Sequence, residues 1–150
     1  MARQSWLLSL LIGAALCVAA GGASATIGQV KVADGAVTIV RGAERIAAKP
    51  GDRLDAADVV ETGADGRVGI TFIDNTRFSA GPNSTIELSR FRFDSTTHDG
   101  EFVTSVKRGT LSVISGQIAK RSPDAMKVQT PSSILGVRGT EFLVKVEETK

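Results

Sequence analysis

Ser84, His98 and Asp74 are the three residue types of a hydrolytic triad. No nucleophile-elbow pattern surrounds Ser84, so the sequence gives the serine no means of being presented to a base. Asp52, Asp55 and Asp58 recur every third residue and suggest calcium. A calcium loop needs oxygens at alternate positions and a closing bidentate glutamate. Neither is present, and turn and cap chemistry accounts for the three aspartates. His98 is the only histidine of the chain and Cys17, in the apolar leading run, its only cysteine, too few to build a His/Cys metal site. There is no P-loop and no Gly-x-Gly-x-x-Gly after a strand. The residues therefore predict no catalytic group, no metal site and no cofactor, and leave any ligand-binding surface unassigned.

Charge excludes another class. The chain carries 18 Lys+Arg against 16 Asp+Glu, a formal net charge of +2. Arg108, Lys120, Arg121 and Lys127 could gather into a basic patch, but acidic residues are interspersed and predict a solvated mixed surface. Such a balance is no footprint for nucleic acid.

The elements that position these residues are short and extended. Val68, Ile70 and Phe72 alternate within Arg67–Ile73, as do Phe142, Val144 and Val146 near the end. Period-two runs of this kind, broken by Gly, Asp, Asn and Pro, read as strands. Lys49-Pro50-Gly51-Asp52 is a strong turn signal, and Asp74-Asn75-Thr76 reads as a tight turn. Thr85–Phe93 alternates with a slip of register before Phe91. Arg108-Gly109 separates strands at Glu101–Lys107 and Thr110–Gly116, with Gln117–Lys120 as an extension. Ser95–Gly100 is the most polar stretch and reads as an exposed loop. Ser122-Pro123-Asp124 is a loop and Lys127–Pro131 a short strand. No segment makes a normal amphipathic helix. The expected fold is a single compact all-β domain of many short strands, either a sandwich or roll or a β-solenoid-like form.

The first residues are set apart. Arg3 precedes an apolar run from Trp6 to Ala20, and Ala23-Ser24-Ala25 fits a small-x-small cleavage site. This predicts a signal peptide over 1–25, cleaved after Ala25, and a mature domain over 26–150. The run is shorter than the roughly 20 apolar residues of a spanning helix, so no stable transmembrane anchor is expected. Leu16, not a small residue, precedes Cys17, which argues against lipidation there. Cys17 is the only cysteine, so the mature domain is expected to fold without disulfides, in the periplasm or outside the cell.

One arrangement of landmarks is distinctive. Val128-Gln129-Thr130-Pro131 leads into Gly136-Val137-Arg138-Gly139-Thr140-Glu141-Phe142. Upstream, in order, stand Pro50-Gly51-Asp52-Arg53-Leu54, Asp58-Val59-Val60-Glu61-Thr62, Val68 to Thr76 ending in Asp74-Asn75-Thr76, Gly81-Pro82-Asn83-Ser84 and Arg108-Gly109-Thr110-Leu111. Together they resemble the FecR-type periplasmic domain family over roughly residues 28 to 146. Gly51, Asp52, Asp74, Thr76, Gly109, Thr130, Pro131, Gly136, Arg138, Gly139 and Thr140 match its motif positions, and a structural role is expected for them. Residues 136–140 could form a ligand-facing loop, but their glycines are expected instead to permit a bulge or a close backbone approach. Arg138 is expected to reach inward as an anchor.

In the namesakes of that family a cytoplasmic segment meets a sigma factor, a helix crosses the membrane, and the periplasmic part receives an outer-membrane transporter's signalling domain. With the leader at residue 1 and the end at Lys150, this chain is expected to lack both the cytoplasmic segment and a further receiving domain. What the resemblance implies is the domain, the compartment and a partner, most simply another envelope protein. The alternative is a wall protein binding peptidoglycan or another glycan. Few aromatics suit that alternative: there is no tyrosine, and Trp6 lies in the leader.

Overall fold

The structure is a computed structural model that describes residues 25–148. The expected signal peptide, with Cys17, falls almost wholly outside the described residues. No helix among them is long and apolar enough to cross a membrane.

Among the described residues twelve strands form: β1 Thr26–Asp34, β2 Val37–Arg41, β3 Glu44–Ala47, β4 Arg53–Asp55, β5 Val59–Thr62, β6 Arg67–Phe72, β7 Arg77–Ala80, β8 Thr85–Phe93, β9 Gly100–Ile114, β10 Met126–Gln129, β11 Ile134–Gly136 and β12 Glu141–Val146. One short helix, α1 Gln117–Arg121, and a 3-10 turn at Pro123–Ala125 sit between β9 and β10. Nine of the strands follow one path through a single curled sheet, β3-β2-β5-β8-β9-β7-β6-β1-β4, with β10 and β12 joined to β9 and β11 to β10. All pairs are antiparallel except β9–β10. The all-β expectation holds. Of its two open forms the roll is the observed one, because a solenoid would stack parallel rungs.

β9 is the spine. Its first half pairs β8 and β10, and its second half pairs β7 and β12. The break read at Arg108-Gly109 is therefore a bend within one strand. Gly109 has φ +90°, and a Cβ there would overlap Ser84. Only glycine passes this corner without strain. β8 carries irregular pairing between Glu87 and Arg90, the slip seen in its alternation.

Curling the sheet encloses one core. Val68, Ile70 and Phe72 of β6 bury on one face, as period two requires. Phe72, Phe78 and Phe102 pack at ring distances of 4.7–5.3 Å, with Phe91 against them. Such clusters suit a disulfide-free domain, each fully buried ring contributing up to ~3 kcal/mol.

Gln117–Arg121 departs from expectation: it is helix, not strand. Five residues are too few to display a helical period, and a tertiary contact fixes the segment. The N–H of Gln117 donates to the Asp74 carbonyl and that of Ile118 to the Asp74 carboxylate.

Candidate functional site

The residues singled out in the sequence separate into two groups. The first group ties turns together. The Lys49–Asp52 turn has Pro50 and Gly51 at its centre, Gly51 at φ +97°, and the Lys49 N–H donates to Asp52 Oδ2 at 2.8 Å. Asp74 is wholly buried. Its carboxylate accepts from the Thr76 N–H at 3.0 Å and from the Thr76 hydroxyl at 2.7 Å. Thr76 Oγ1 in turn accepts from the Gly116 N–H. Asn75, at φ 67°, supplies the left-handed residue that closes this turn. Thr130 holds the β10–β11 turn through its own N–H and hydroxyl, with Pro131 at its exposed tip.

The triad types do not act together. Asp74 is spent on Thr76 and the start of α1. The Ser84 hydroxyl donates to the Gly81 carbonyl and accepts from the Thr110 N–H. His98 lies exposed in its loop, stacked on Phe93. Of the aspartate triplet, Asp52 serves the Lys49–Asp52 turn, while Asp55 and Asp58 form a second knot around Arg41, a cation that their spacing does not reveal. Asp58 is 1% exposed, and Arg41 grips it with two bonds, Nε to Oδ1 at 2.9 Å and a terminal nitrogen to Oδ2 at 2.7 Å. Asp58 also accepts from the Asp55 N–H. The bond to Asp58 holds the Arg41 guanidinium above its ordinary pKa, with burial opposing it. No sequence pattern links positions 41 and 58: the antiparallel β2–β5 register sets Val40 opposite Val59 and so carries Arg41 to Asp58 at the end of the ladder.

The second group faces outward. Arg138 does not reach inward. Its side chain is 78% exposed and its nearest acid is the equally exposed Asp124, at 3.7 Å. The reading of Arg138 as an inward anchor is corrected on this point. Because the loop leaves the core after Val137, no buried carbonyl lies where the guanidinium points. Gly136 and Gly139 face open space, so no close approach requires them. The loop is held by other atoms: Val137 is buried and its N–H donates to the Met126 carbonyl, and Ser115 bonds the carbonyls of Gly139 and Thr140. The backbone of residues 136–140 is thus pinned while Arg138 and Thr140 present their side chains to solvent.

Around this loop the surface is apolar. β11 pairs only β10 and β12 only β9 among the described residues. All three residues of β11 are exposed, Ile134 at 67% and Leu135 at 41%, and Leu143 of β12 is 66% exposed. Leu135, Val137, Arg138, Glu141, Phe142 and Leu143 line one groove of about 330 Å³. Exposed leucines and isoleucine beside an arginine and unpaired strand edges suit contact with a polypeptide. Nothing in the groove brings a nucleophile to a base. Among the described residues no group of three or more His, Cys, Asp or Glu could hold a metal.

The family profile described as FecR protein matches residues 58–150. It takes in β5 to β12 and therefore both the Asp74 knot and the exposed loop. The strands before it, β1 to β4, complete the same sheet. No curated protein and no solved structure matches the chain. With the match spanning more than half of its residues, the chain belongs to the FecR protein family, an envelope-associated family of signalling and regulation.

Proposed function

We propose that this chain is an exported, non-catalytic FecR domain that binds another envelope protein through β11 and the 136–140 loop. The leader over 1–25 sends it across the inner membrane and is removed after Ala25. The mature domain then works in the periplasm or outside the cell as an adaptor or signalling module. The observation that carries this reading is the outward face of the loop. Arg138 and Thr140 have exposed side chains, yet the backbone around them is tied by hydrogen bonds beside Ile134 and Leu135. A pinned loop loses little entropy on binding, and an open strand edge lets a partner strand add to the sheet. Glycan binding has weaker support: no phenylalanine of the described residues is exposed, so no aromatic platform is offered to a sugar.

The test is chemical crosslinking in the native host with the tagged full chain, followed by mass spectrometry, against an Ile134→Asp/Leu135→Asp variant. Both sites are exposed, so the variant folds. One recurrent envelope protein captured by the parent and lost from the variant supports the proposal. Wall fragments alone, or equal capture by both, would overturn it.

A further inference from the structure

β12 carries a charge pattern that the partner-binding reading does not use. Its outward face reads Glu141, Leu143, Lys145, all exposed, and its inward face reads Phe142, Val144, Val146. Its outer edge pairs with no strand among the described residues. Exposed edges are normally protected by charges that repel a second strand. Here the charges have opposite sign and stand symmetrically about an exposed leucine.

We propose that two copies of this chain pair antiparallel, β12 to β12, about a two-fold axis at Leu143. In an antiparallel ladder, residues directly opposite share a face. A two-fold centred on Leu143 sets Glu141 of each copy opposite Lys145 of the other, and Leu143 opposite its own counterpart. On the inner face the same register sets Phe142 opposite Val144, apolar against apolar. Neighbouring two-fold registers lose this match. Centring on Phe142 puts Leu143 opposite Glu141, and centring on Val144 puts it opposite Lys145. Only the Leu143 register satisfies both faces, and a two-fold interface needs such self-complementarity. Within one chain Lys145 pairs with Glu147 at 3.1 Å, both well exposed. A pair so exposed contributes little and exchanges readily for Glu141 of the second copy.

The occupant is a second copy because the strand complements itself in sign, position and hydrophobicity. The paired edges would extend each curled sheet into the other. Glu141 and Leu143 also line the groove beside the loop, but the partner test substitutes β11 and this one substitutes β12, so either inference can fail alone.

The experiment is sedimentation equilibrium of the mature protein over a concentration series, with three charge variants. Glu141→Lys and Lys145→Glu each set two like-charge pairs across the axis and should weaken the dimer about tenfold or more. The double variant Glu141→Lys/Lys145→Glu restores both pairs in reversed order and should return the affinity to near the parent value. A second measurement uses Leu143→Cys: two such residues facing across the axis fall within disulfide range and should give a covalent dimer on a non-reducing gel. Leu135→Cys serves as the control and should give none. A parent that stays monomeric to its solubility limit refutes the proposal. So does a dimer indifferent to the single charge reversals, or one that the double reversal fails to restore.

Discussion

Replacing Asp74 by alanine removes the acceptor at the centre of the buried turn that seats α1. Two good bonds end there, from the Thr76 N–H at 3.0 Å and the Thr76 hydroxyl at 2.7 Å, and a third from Ile118 is long at 3.4 Å. A hydrogen bond to a charged acceptor contributes about 1.5–3 kcal/mol, and a buried donor left alone costs about 1–3 kcal/mol. The two good bonds therefore carry about 3–6 kcal/mol. Deleting a carboxylate that is 0% exposed also relieves its desolvation, which offsets part of the loss. The net expectation is a loss of about 3 kcal/mol, which lowers Tm by about 10 °C in a domain of this size. Urea denaturation of the mature protein measures it, with fluorescence-independent detection by far-ultraviolet circular dichroism. Thr76→Val should cost about 2 kcal/mol through the orphaned Gly116 N–H. The double variant should cost less than the two losses added, because both share one network. An Asp74→Ala protein within about 0.5 kcal/mol of the parent would show that the knot holds nothing, and the reasoning from buried bonds would fail.

Other outcomes follow from the same physics. Arg41→Met leaves Asp58 buried with only the Asp55 N–H and should cost about 2–3 kcal/mol, less than a fully buried pair because the arginine is partly exposed; an unchanged denaturation midpoint would contradict it. Gly109→Ala forces a side chain onto Ser84 at positive φ and should cost about 3 kcal/mol or more, whereas Gly139→Ala, in open space, should stay within about 0.5 kcal/mol; thermal melts of the two should differ accordingly. Asp94 accepts from the Thr96 and Thr97 N–H groups, which hold its pKa below the ordinary value. A depressed carboxyl contributes its stability above the ordinary aspartate pKa of about 3.9 and loses it as pH falls through the lower folded value. Carboxyl-carbon NMR titration should place the Asp94 midpoint below that figure, and a midpoint at or above it would dismiss the turn bonds.

Strands were legible where one face buries and the other does not. β6 shows this in Val68, Ile70 and Phe72, and β8 shows even its slip in the displaced Phe91 and Phe93. Turns were legible where proline, glycine or asparagine must set φ, as at Gly51 and Asn75. What stayed hidden depends on distant atoms. α1 is helical because Asp74, far off in sequence, receives its first N–H groups. β9 is one strand and not two because its ladder runs on past the bend at Gly109, with the partner changing from β8 to β7. The Arg41–Asp58 pair needs β2 and β5 to align in register before its members meet. β11 escaped because all three of its residues are exposed, so no alternation marks it. For the candidate site, spacing identified residues 136–140 as a motif but could not tell a buried arginine from an exposed one. That difference turns on where the chain leaves the core, after Val137.

The central claim is that the exposed face of β11 and its loop contacts another envelope protein. The most direct measurement is site-specific photocrosslinking in the native host, with the photoreactive residue placed at Leu135 in one strain. The comparison strain places it at Val32, an exposed apolar residue of β1 on the far part of the sheet. The account predicts a recurrent adduct with one protein other than the chain itself from position 135 and none from position 32. Adducts of equal yield from both positions, or none from 135, would contradict it.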